Sequence, residues 1–63
     1  MTKHELESMF EQVKTLCAEA TAQGRNSDWM RMGMAMKIAR ALNEQVITQA
    51  DWDRMCADPI WSE

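Results

Sequence analysis

The stretch Trp29-Met30-Arg31-Met32-Gly33-Met34-Ala35-Met36-Lys37-Ile38-Ala39-Arg40-Ala41-Leu42 decides the fold class, because it admits two opposite readings. Its methionines fall at every second position, which is the period of a strand. Methionine and alanine are strong helix formers, however, and the run flows without a break into Ile38–Leu42. Helix is the reading that fits the whole stretch, with a short strand paired across a dimer as its competitor.

Both flanks of this stretch carry helix punctuation. Upstream, Asn26, Ser27 and Asp28 are good N-cap residues for this helix, and Gly24 is suited to end the one before it. That earlier helix opens with Thr2 and Glu5 at capping-box spacing. Its apolar residues Leu6, Met9, Val13, Leu16 and Ala20 follow a 3-4-3-4 spacing, widened by Phe10 and Cys17. Downstream, Thr48 and Asp51 form a second capping-box pattern, and Ile47 and Trp52 have the spacing of a hydrophobic staple. Asp58-Pro59 closes this last helix, since a residue before proline is pushed out of the helical region. The sequence therefore predicts an all-α, single-domain chain over 1–63, a three-helix bundle with helices at 3–23, 28–43 and 48–57. Ile60 and Trp61 are expected to fold back as an apolar tail.

The segment Ala41-Leu42-Asn43-Glu44-Gln45-Val46-Ile47-Thr48-Gln49-Ala50-Asp51-Trp52 resembles the helical hairpin of short bacterial oligomerisation domains. The resemblance covers about a fifth of the chain, and Gln45 stands near the place of that hairpin's glycine.

Sixty-three residues are few for a self-sufficient core, and folds of this size usually gain a disulfide, a metal or a second subunit. Two cysteines, Cys17 and Cys56, read as reduced thiols rather than a disulfide framework. The start Met1-Thr2-Lys3-His4-Glu5 lacks the apolar core of a secretory leader, and no apolar run is long enough to span a bilayer. A cytoplasmic protein completed by dimerisation is the expectation.

Charge is segregated within a net of −3. The middle segment gathers Arg25, Arg31, Lys37 and Arg40 against Asp28 alone, while both flanking segments are acidic. A basic helix packed between acidic ones explains this, and an acidic chain with scattered basic residues is a weak footprint for nucleic acid. The competing reading is a dimeric nucleic-acid-binding regulator using Arg31, Lys37 and Arg40 for phosphates. A helix 48–57 bearing Asp51 and Asp53 against Arg54 would present the wrong sign to a groove.

Chemistry finds little footing. His4 is the single histidine, and along a straight helix Cys17 would lie about 20 Å from it. No phosphate-binding glycine loop or metal-ligand spacing occurs. Alternate methionines are soft copper(I) ligands in principle, but on a helix Met30/Met34 and Met32/Met36 form two pairs pointing apart. The expectation is no enzyme, no metal and no cofactor.

What remains is the apolar surplus of the middle helix. Advancing 100° per residue, Met32, Ala35, Ile38, Ala39, Leu42 and Val46 share a broad face expected to meet the first helix. Trp29 and Met36 lie to one side, and Met30 and Met34 on the far side. Trp29 and two methionines left uncovered would expose roughly 300–400 Å², on the order of 8–10 kcal/mol as an upper bound. Trp29, Met30, Met34 and Met36 are therefore the expected contact surface, with Lys37 and Arg40 as its polar rim. The function expected is protein–protein interaction: an adaptor, assembly factor or inhibitor of a larger protein, self-associating through this helix. Small size and lack of chemistry suit an accessory protein of a bacterium or phage.

Overall fold

Thr2 opens the first helix by accepting from the Glu5 backbone N–H at 3.1 Å, while the Glu5 carboxylate accepts from the Thr2 N–H at 3.4 Å. A computed structural model, describing residues 1–62, carries this helix as α1, Lys3–Ala22. It is followed by α2, Asp28–Asn43, by α3, Gln49–Cys56, and by a short 3₁₀ turn, Pro59–Ser62. The three helices pack against one another, and the described residues include no strand. The alternating methionines thus belong to a helix, whose ends lie where the sequence puts them.

Both interhelical turns use the same stop. After α1, Gly24 takes φ of 71°, so that Arg25 N–H reaches the Ala20 carbonyl at 2.8 Å and Gly24 N–H the Thr21 carbonyl at 3.1 Å. These paired bonds are a Schellman motif, which needs a left-handed residue. After α2 the pattern recurs, with Val46 N–H on Ala41 at 2.9 Å and Gln45 N–H on Leu42 at 3.1 Å. Here the left-handed residue is Gln45, φ 62°, which carries a full side chain in a conformation that favours glycine.

The start of α2 differs from the simple cap the sequence implies. Asn26 Oδ1 accepts from the Asp28 N–H at 2.8 Å, whereas buried Ser27 makes no side-chain cap. Ser27 instead accepts at its Oγ from Arg31 Nη1 at 2.6 Å, and Arg31 Nε donates to the Ile60 carbonyl at 2.8 Å. Arg31 thereby fastens the tail to α2. Trp61 completes the latch by donating its indole N–H to the Met55 carbonyl at 2.7 Å and stacking on Phe10, ring centroids 6.0 Å apart.

The core is Leu6, Phe10 and Cys17 of α1, Met34, Ile38 and Ala41 of α2, Ile47, Met55 and Ile60. The structure departs from two expectations for α2. The buried residues of α2 are Met34, Ile38 and Ala41; of the face expected to meet α1, Ile38 is buried and Leu42 and Val46 are half-buried against the core, whereas Met32, Ala35 and Ala39 are exposed. Met34, expected on the contact surface, is 2% exposed in the core. The physical reason is that a helix apolar nearly all round does not specify its inner face by pattern. The choice falls to whichever side lets the caps, the Arg31 latch and the neighbouring helices close together.

Candidate functional site: the outer face of the second helix

With Met34, Ile38 and Ala41 turned inward, helical geometry dictates what faces out. Measured around α2 from Trp29, Met36 lies about 20° and Met32 about 60° to one side, and Arg40 about 20° and Gly33 about 40° to the other. The three large apolar side chains form a ridge opposite the core, with Trp29 72%, Met32 65% and Met36 69% exposed. The spacing is i, i+3, i+7, that of an apolar stripe made to pack against another helix.

Beside the ridge runs a groove of about 260 Å³ between α1 and α2. Met9, Val13 and Leu16 form its α1 wall, and Trp29, Gly33 and Lys37 line the α2 side. Leu16 is itself 49% exposed, so the apolar surface continues from the ridge across the groove onto α1. Gly33 has open space where a Cβ would stand, with no heavy atom within 4 Å of that point.

The expected contact residues divide cleanly. Trp29 and Met36 are on the ridge, Met30 is half-buried in the groove beside it, and Met34 is core. Lys37 and Arg40 are exposed at its C-terminal end, where Arg40 Nε pairs with Glu44 at 3.0 Å. Arg31, grouped with them as a phosphate contact, is turned away into the Ser27–Ile60 latch. Met32, Gly33 and Leu16 are the residues the sequence reading missed. The signal for Met32 was present in its spacing from Trp29 and Met36. Nothing in the α1 pattern marks Leu16, which belongs to the same 3-4-3-4 stripe as buried Leu6.

A second apolar cleft lies on the other side of α2, between Ala35 and Ile38 and the α3 and tail residues Trp52, Cys56 and Trp61. Its walls offer no charged group.

Charged side chains elsewhere serve the fold. Asp51 sits at the centre of a cluster, 3.2 Å from Lys3 and 3.4 Å from Arg54, and Arg54 reaches Glu7 at 2.7 Å. The Thr48 backbone N–H, followed by Lys3, holds the Asp51 carboxyl well below the usual carboxylate range. Asp58 is lowered by the Ile60 N–H and then by Lys14 at 3.2 Å. Lys14 is raised by Glu11 first and Asp58 second. These are caps and inter-element ties: Asp51 and Asp58 accept from the backbone N–H groups of Thr48 and Ile60, and Glu7 and Glu11 meet side-chain cations.

His4 and Cys56 are exposed on different elements, and Cys17 is buried. Among the described residues no three His, Cys, Asp or Glu side chains are grouped to hold a metal ion, and no helix is long and apolar enough to cross a membrane. The chain matches no family model, no curated protein and no solved structure.

Proposed function

We propose that this protein is a protein-interaction module, a small adaptor, assembly factor or inhibitor, whose contact surface is the ridge Trp29–Met32–Met36 with the adjoining Leu16 groove. The single observation carrying this reading is that three large apolar side chains on one helix face are each about two-thirds exposed or more, while the core is complete without them. Such patches on small domains mark interaction sites, and tryptophan and methionine are favoured where a surface must anchor and adapt. Lys37 and Arg40 form a basic rim that steers an acidic surface toward the ridge. Nucleic-acid recognition has less support, since Arg31 is occupied in the latch. The module acts by occupying a surface, without chemistry of its own.

Substituting Met32→Glu together with Met36→Glu tests this. The wild-type chain, immobilised, is expected to retain a defined protein or a further copy of itself from source-cell lysate, and the folded double variant to retain neither. Identical retention by the two proteins would remove the ridge from any contact.

A further inference from the structure

We infer that the occupant of the ridge is a second copy of the chain, with the two α2 helices crossing antiparallel at Gly33. This inference rests on the reading of the ridge as a contact surface and specifies what covers it. Glycine is the poorest helix former after proline, and Gly33 sits in the interior of the 16-residue α2. Nothing in the single chain explains it, because a Cβ there would meet no atom within 4 Å. A glycine that the fold does not require, on the open face of a helix, marks where another backbone can approach closely.

The ridge is complementary to itself in one orientation. Its N-terminal part carries Trp29, and its C-terminal part carries Met36 with Lys37 and Arg40 beside it. With Gly33 set against Gly33 of the other copy and the helices antiparallel, Trp29 lies opposite Met36 and Lys37 of that copy. An indole receives a thioether and a lysine ammonium well. The helix dipoles of such a pair oppose. A parallel pair would instead place Lys37 and Arg40 of both copies side by side. Leu16 and Val13 then form the outer wall against which the other copy's Trp29 or Met36 side chain rests.

The area is sufficient and no more. Trp29, Met32, Met36 and the exposed part of Leu16 offer on the order of 400 Å² of apolar surface per copy. With the polar rim, two copies reach about 1,200 Å² in total, the lower bound for a specific interface. The dimer is accordingly a reversible one.

Sedimentation velocity from about 5 to about 500 μM, on wild type, Gly33→Ala and Met36→Glu, tests this. The wild type is expected to pass from monomer to dimer mass across that range. Gly33→Ala should raise the thermal midpoint of the dilute protein by about 4 °C, as alanine favours helix, yet weaken association at least about tenfold. Met36→Glu should remain helical and monomeric throughout. A wild type that stays monomeric overturns self-pairing alone, leaving the lysate comparison to judge the ridge. A dimer that neither substitution weakens overturns self-pairing through this face.

Discussion

Trp29 and Met36 stand in line on the outer face of α2, seven residues apart, and each is about seven-tenths exposed. Met34, two positions from Met36, is almost wholly buried. One short segment thus contributes the same residue type to the core and to the surface, and the two roles are separable by mutation.

Met34→Ala should lower stability by about 2–5 kcal/mol, since the thioether lies among Leu6, Phe10, Ile38 and Met55 in the core cluster and leaves a cavity there. Met34→Glu should unfold the domain, because nothing in that cluster can pair a buried carboxylate. The Met32→Glu, Met36→Glu pair should shift stability by no more than about 1 kcal/mol. Chemical denaturation followed by circular dichroism measures all three. Unfolding by the ridge pair would return these two residues to the core.

Gln45 bears the left-handed conformation at the end of α2 with a full side chain. Gln45→Gly should therefore stabilise the protein by about 0.5–1 kcal/mol, the side chain's steric cost being removed. Gly24→Ala, at φ of 71°, should destabilise by about 1 kcal/mol although its Cβ would meet nothing. Thermal melts of the two variants should move in opposite directions.

The α3 cap and the tail give the protein its acid sensitivity. Folded-state carboxyls at Asp51 and Asp58 are held below their unfolded values, by the Thr48 N–H and Lys3 and by the Ile60 N–H and Lys14. Their stabilisation is present above the ordinary carboxylate value near pH 4 and is lost as pH falls through the lowered folded values. Lys14, raised by Glu11 and Asp58, contributes below its ordinary value of 10.5 and ceases to as pH climbs past its raised one. The unfolding midpoint should be level from about pH 5 to about pH 8 and fall below about pH 4. Asp51→Asn combined with Asp58→Asn should flatten much of the acid limb in a pH series of melts.

Thr48→Ala should cost about 1 kcal/mol, because the Thr48 hydroxyl satisfies the Asp51 N–H at 3.2 Å. Trp61→Phe should cost about 0.5–1.5 kcal/mol through the Met55 carbonyl left without its indole donor. The same substitution retains an aromatic ring on Phe10, so a far larger loss would indicate that the tail detaches.

Much of this architecture was legible before the structure. Thr2/Glu5 and Thr48/Asp51 announce two helix starts, and Gly24 and Asp58-Pro59 announce two ends, because capping is local chemistry set by a few neighbouring residues. The surplus of apolar side chains in residues 29–42 was legible too. Its orientation was not, since Met32 and Met34 are the same residue type on opposite faces and composition cannot choose between them. Long-range ties made that choice: Arg31 crosses 29 positions to the Ile60 carbonyl, and Lys14 crosses 44 to Asp58. Such ties follow from the three-dimensional closure of the bundle and leave no periodic trace in the sequence.

The central claim is that something covers the ridge, and hydrogen peroxide footprinting of the methionines addresses it most directly. Oxidation rates of Met32 and Met36, read by peptide mass spectrometry relative to added N-acetylmethionine, would be compared between purified protein at about 5 μM, purified protein at about 500 μM and source-cell lysate, with Met34 and Met55 as slow internal references. Both ridge thioethers should oxidise fast in the dilute protein and be protected at least about fivefold in the concentrated protein or the lysate. Equal relative rates in all three settings would contradict it.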